Sequence, residues 1–257
     1  LESELKNKKD LDELKLIFES DGLPISPRFL GYPESQSMQD NEIDMLHQSQ
    51  IIQDNEIDVL QSLQPPISLK SLFLQNYAGV SLPSWFRPQN LPSLESLTFT
   101  DCVGLKSISL CMISQIIGLN VIPAVLVHNN NDSVGMFLSL TDLAIYGCRN
   151  LSSLEHFLLP KYVPAVKKIT IGGCKRLESI PTEMFGDFHF LEELNIFSCP
   201  KIRSRRLVSP SLKKLRLSRS ALFYSIECCS LTYFDLSSEF VRSIQLQMWS
   251  LPALREL

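Results

Sequence analysis

Four stretches of this chain spell one apolar sentence, L-x-x-L-x-L-x-x-C-x-x-L-x-x-L. It reads Leu94, Leu97, Phe99, Cys102, Leu105 and Ile108, then Leu140, Leu143, Ile145, Cys148, Leu151 and Leu154. It returns as Val166, Ile169, Ile171, Cys174, Leu177 and Ile180, and again as Leu191, Leu194, Ile196, Cys199 and Ile202. Looser copies begin at Leu11, Leu69, Leu212 and Leu231, and Leu254 opens another. Starts at 140, 166, 191, 212, 231 and 254 lie 26, 25, 21, 19 and 23 residues apart. In L-x-L the apolar side chains sit two apart and point to one side of a strand, while the residues between them point to the other. A single unit exposes an apolar edge that only the next unit covers, so such units fold by stacking.

A period of about 20–29 residues with this pattern is that of the leucine-rich repeat. The expected fold is therefore α/β: a curved solenoid of about nine or ten repeats, with parallel strands on the concave face and helices or turns on the convex side. Residues 1–30 read as a first repeat, 31–66 as a helical insert, and 67–257 as the array, cut at its C-terminus. Both ends fall in or beside repeats, so the region alone is expected to be poorly soluble. The insert contains QDNEID twice, at 39–44 and 53–58. Asp40/Asn41 and Asp54/Asn55 stand where N-caps would, ahead of Ile43/Leu46 and Ile57/Leu60. Residues 55–63 are expected to pack as a convex-side helix and the earlier copy to form an exposed insert. Deleting 39–52 should then leave the melting temperature nearly unchanged. Between Leu94 and Leu140 there is room for one more repeat, and Ile122, Val125, Val127 and Asn130 spell it, followed by a loop-like HNNNDS.

Seven cysteines, an odd number, favour free thiols over a disulfide framework. No C-x-x-C occurs, so Cys102, Cys148, Cys174 and Cys199 are read as structural, bonding backbone groups where the strand bends away, and no metal is expected. The chain carries 24 Lys+Arg against 28 Asp+Glu, a net of −4, with 44% hydrophobic residues. That balance excludes a disordered chain and a globally basic nucleic-acid binder. No apolar run is long enough to span a membrane. Charge is unevenly placed: residues 1–64 hold 14 acids and 5 bases, whereas 201–219 holds eight Lys/Arg and no acid. His47, His128, His156 and His189 are scattered, without H-E-x-x-H, and no G-x-x-x-x-G-K-[ST] loop is present. Neither catalysis nor a cofactor is expected. Asn131-Asp132-Ser133 and Asn150-Leu151-Ser152 match the glycosylation sequon only weakly as evidence.

LKNKKDLDELKLIF (5–18), NEIDVLQSLQPPISLKSLFLQNYAGVSLPSWF (55–86) and the recurring L-x-x-L-x-I-x-x-C closely resemble the leucine-rich-repeat region of plant intracellular immune receptors. The subgroup is the coiled-coil, nucleotide-binding, leucine-rich-repeat type, and the resemblance covers essentially the whole chain. It implies a cytoplasmic protein-binding domain that recognises a pathogen effector or a modified host protein. It also implies restraint of a nucleotide-binding domain in the intact receptor. A substrate-recruiting repeat domain of a ubiquitin ligase is the alternative.

Alternation along each strand names the outward candidates. Phe73, Tyr146, Phe197 and Tyr233 are expected to form a broken aromatic line, with Lys168, Lys214 and Arg216 beside it; aromatic and Arg anchors dominate interface energy at about 2 kcal/mol or more each. The basic stretch 201–219, with Arg205 and Arg206 placed in a turn, is expected to dock an acidic protein surface.

Overall fold

Alternating apolar residues set the frame of the structure, a computed structural model that describes residues 5–18, 51–108, 135–203, 206–220, 225–237 and 249–256. Eight strands form one all-parallel sheet. In sheet order they are β1 (Glu13–Ile17), β2 (Ser71–Gln75), β3 (Ser96–Thr100), β4 (Asp142–Tyr146), β5 (Lys168–Gly172), β6 (Glu193–Phe197), β8 (Lys214–Ser218) and β10 (Tyr233–Ser237). Each is five residues long, and every pair is in the same register. One inward column runs Leu14, Leu72, Leu97, Leu143, Ile169, Leu194, Leu215 and Phe234. A second runs from Leu16 through Phe99, Ile145 and Ile171 to Leu236. These columns belong to one continuous core that includes Leu140, Val166 and Leu191. Full burial of each such side chain contributes about 1.5–3 kcal/mol.

The residue after β2, β3, β4, β5, β6 and β8 turns left-handed. Asn76, Asp101, Gly147, Gly173, Ser198 and Arg219 have φ of 60°, 51°, 62°, 67°, 54° and 47°. Their amides carry the ladder one step further, Asp101 N–H to the Tyr146 carbonyl at 2.8 Å and Gly147 N–H to that of Gly172 at 2.8 Å. The next residue is the repeated cysteine. Cys102, Cys148, Cys174 and Cys199 are buried and free. Each thiol donates to the carbonyl two residues back, at 3.6, 3.5, 3.5 and 3.3 Å. In the following rung Ser220 stands at this position and bonds the Ile196 carbonyl at 3.0 Å. A hydrogen bond donated to the neighbouring thiol and then burial push Cys148 and Cys174 well above the ordinary thiol range, so both stay protonated.

Beyond the cysteines the chain returns behind the sheet, and here the repeats differ. In the long repeats the space is filled by Phe86, Phe137 and Phe157, with ring centroids 5.7 and 6.5 Å apart. Around β5 the return includes a 3-10 helix, Thr182–Asp187, that buries Phe185. From β6 onward the return is extended: β7 (Arg206–Val208), β9 (Ser225–Glu227) and β11 (Trp249–Ser250) form a second parallel sheet. Arg206 therefore opens a strand rather than lying in a turn.

Helix α1 is helical over 51–62. Leu60 is buried, and its carbonyl accepts from the Trp85 indole at 2.8 Å. The Glu56 carboxylate accepts from the Ala78 amide at 2.5 Å, and burial raises its pKa. Asp54 and Asn55 lie inside the helix and do not cap it. The other QDNEID copy and the HNNNDS loop lie outside the described residues.

One further expectation is corrected. β3 bonds β4 directly over all five residues, so no rung from 122–130 stands between them. Eight rungs are therefore described, and a bridge from Tyr233 to Glu256 begins the next.

Candidate protein-binding surface

Parallel register sorts the outward residues into three columns across the sheet. The first carries Glu13, Ser71, Ser96, Asp142, Lys168, Glu193, Lys214 and Tyr233. From Asp142 to Lys214 its charges alternate in sign, so neighbouring rungs attract one another. The middle column holds Phe73, Thr98, Ala144, Thr170, Asn195 and Arg216; the third holds Thr100, Tyr146, Gly172, Phe197 and Ser218.

The expected aromatic line does not form, because its members fall in different columns. Phe73 lies in the middle column on β2, with the Lys15 ammonium 4.8 Å from its ring centroid. Tyr233 lies in the first column on β10, with the Arg216 guanidinium 5.0 Å from its centroid. Only Tyr146 and Phe197 meet, at 6.0 Å between centroids. They do so although β5 lies between them, because the intervening residue is Gly172. A Cβ there would run into the Phe197 ring.

Beside this pair is a hollow of about 550 Å³. Tyr146, Lys168, Phe197 and Arg216 line it; Phe73, Lys214 and Tyr233 do not. Its floor is polar and ordered. Asn195 donates to Glu193 at 2.9 Å and to the Thr170 hydroxyl at 3.2 Å. Glu193 also faces Arg216 at 3.0 Å and Lys168 at 3.9 Å. The Asn195 hydrogen bond, then Lys168 and Arg216, hold its carboxyl below the usual range. Phe197 is 37% exposed, so the hollow offers a partly open aromatic wall above a fixed set of donors and acceptors. Such a surface suits an inserted protein side chain. Gly172 and Arg219, which also matter here, were not singled out by sequence; the signal for the first is a small residue in ITIGGC where neighbouring repeats have Tyr146 and Phe197.

Of the seven described cations over 201–219, four are paired with acids in space. Lys213 meets Glu192 at 2.7 Å, Arg206 meets Glu227 at 2.6 Å, Lys201 meets Glu178 at 3.5 Å, and Arg216 is held by Glu193. Arg205 lies outside the described residues. Asn150, in one sequon, donates its side-chain amide to the Val103 carbonyl at 2.7 Å; the other sequon is not described. His156 and His189 are exposed and apart from the hollow. Among the described residues there is no cluster of His, Cys, Asp or Glu suited to a metal, and no helix long and apolar enough to cross a membrane.

A stacked parallel sheet with one repeated inward alphabet and a variable outward face defines a leucine-rich-repeat protein. Residues 1–125, just under half of the chain, match the family R13L1/DRL21 LRRs, a leucine-rich-repeat family of plant NLR-type resistance proteins. No curated protein and no solved structure matches the chain. Repeat domains of this family are protein-interaction modules.

Proposed function

We propose that this chain is the recognition region of an intracellular plant immune receptor. It binds a pathogen effector, or a host protein altered by one, across the concave face, and it restrains the receptor's nucleotide-binding domain until then. It acts by binding alone, without catalysis or a cofactor. The observation that carries this reading is the Tyr146–Phe197 pair over Gly172, an open apolar anchor site on a face whose charges are mostly paired. Lys168, Lys214 and Arg216 supply the polar rim, with Phe73 and Tyr233 to either side.

The test is made in the intact receptor. Tyr146→Ala with Phe197→Ala is expected to abolish the response to the eliciting pathogen while protein abundance stays unchanged. Lys214→Glu with Arg216→Glu is expected to cost recognition or to release restraint. Normal signalling by both pairs would exclude this face.

A further inference from the structure

A parallel sheet puts the C-terminal ends of all its strands on one edge, and here that edge carries a charge the concave face does not. Four turns follow β3, β4, β5 and β6, over 101–106, 147–152, 173–178 and 198–203. Together they hold Lys106, Arg149, Lys175, Arg176, Lys201 and Arg203 against Asp101 and Glu178. All six cations are exposed. Only Lys201 makes an ion pair; the other five make none among the described residues. The turns are tied to one another by backbone bonds: Ser107, Ser153 and Ser179, at their ends, bridge in parallel, the Ser152 amide bonds the Lys106 carbonyl at 3.0 Å, and the Arg203 amide bonds that of Glu178 at 3.2 Å. The opposite edge of the same repeats, over 90–95, 136–141, 162–167 and 187–192, has Lys167 against Glu95, Asp187 and Glu192. The solenoid is thus electrically sided across its strands, and the basic side is fixed in shape.

We infer that this edge is a second docking surface, separate from the concave hollow, and that its occupant is an acidic segment of a partner protein. With rungs about 4.8 Å apart, four turns span about 15 Å. An extended chain places alternate side chains about 7 Å apart, so about five residues with alternate Asp or Glu cover the band. Protein fits better than nucleic acid: the band has no aromatic side chain for a base to stack on. Glu178 also interrupts it where a continuous run of phosphates would pass.

The probe is a fluorescein-labelled peptide of alternating Glu and Gly, titrated by anisotropy beside an oligothymidylate of equal charge. The wild-type chain is expected to bind the peptide, less tightly as salt rises. Arg149→Glu, Lys175→Glu and Arg176→Glu together are expected to weaken binding about tenfold or more. The same three positions changed to Gln give a smaller loss that does not depend on tolerance of reversed charge. Phe197→Ala leaves peptide binding unchanged, which separates this surface from the concave one. No peptide binding, equal binding by both triple variants, or tighter binding of the oligothymidylate overturns the proposal.

Discussion

Gly172 shows how one missing side chain shapes a surface. Its backbone is ordinary strand, so no conformational demand requires glycine; the requirement is space for the Phe197 ring to lean toward Tyr146. Gly172→Ala is expected to leave stability within about 1 kcal/mol, since an added methyl suits a strand and Phe197 can swing into solvent. It should still split the aromatic pair and remove partner binding, a combination that thermal melting and titration together detect. Glu193 offers a second residue-level test. Its pKa is depressed in the folded chain, so its contribution to stability is present above the ordinary value of 4.5 and is lost as pH falls through the lower, folded value. The difference in melting temperature between wild type and Glu193→Gln should therefore shrink as the pH is lowered below about 4.5; a constant difference would show that the Asn195, Lys168 and Arg216 contacts do not matter to folding. Which residues point outward was legible from L-x-L alone. Which of them meet was not, because that depends on whether a residue stands first, third or fifth in its rung, and on what its neighbour lacks.

At the level of elements, the length of a repeat decides how its return is built. β4, β5 and β6 start 26 and 25 residues apart, but β8 follows β6 by 21 residues and β10 follows β8 by 19. The shorter repeats must cover a similar path with fewer residues. A 3-10 helix advances about 2.0 Å per residue and a strand about 3.3 Å, so the short returns are extended and pair as β7 and β9. Sequence gave little notice of this, since Arg206–Val208 and Ser225–Glu227 are three residues each and alternate too briefly to register. The repeat spelled by Ile122, Val125 and Val127 erred the other way: a local match was present, but β4 had already taken the edge of β3. Helix α1 is tied to the segment 78–85 by side-chain hydrogen bonds, among them the one from the Trp85 indole to the Leu60 carbonyl. Trp85→Phe keeps most of the apolar contact and removes one of two donors to the Leu60 carbonyl, which still accepts from the Leu63 amide at 3.3 Å. It is expected to cost about 0.5–1.5 kcal/mol by denaturant melting; no measurable loss would mean that the indole bond adds nothing to the remaining one.

For the molecule as a whole, stability passes between neighbouring rungs and not through a single centre. Leu194 is completely buried in the middle of the array. Leu194→Ala is expected to cost about 2–5 kcal/mol. Amide exchange should rise first in β5, β6 and β8 and last in β1 and β2; a uniform rise along all eight strands would contradict a chain of nearest-neighbour contacts. The solenoid was legible at this scale because the same inward letters return at each turn and no other arrangement buries them. The electrical sidedness was not, because the cations after β3 to β6 lie up to a hundred residues apart in the chain. The run at 201–219 looked more basic on paper than it is in space, where acids from neighbouring rungs cancel much of it.

The rungs accept loops of 19 to 26 residues between strand starts, and much larger excursions after β1 and β3, while the five paired residues never slip. Recombination that adds or deletes a whole unit therefore leaves every remaining joint intact, whereas a one-residue slip within a strand would turn its apolar side chains to water. A gene encoding such a chain can lengthen, shorten or shuffle its outward alphabet in whole steps, and descendants can meet new partners without refounding the core.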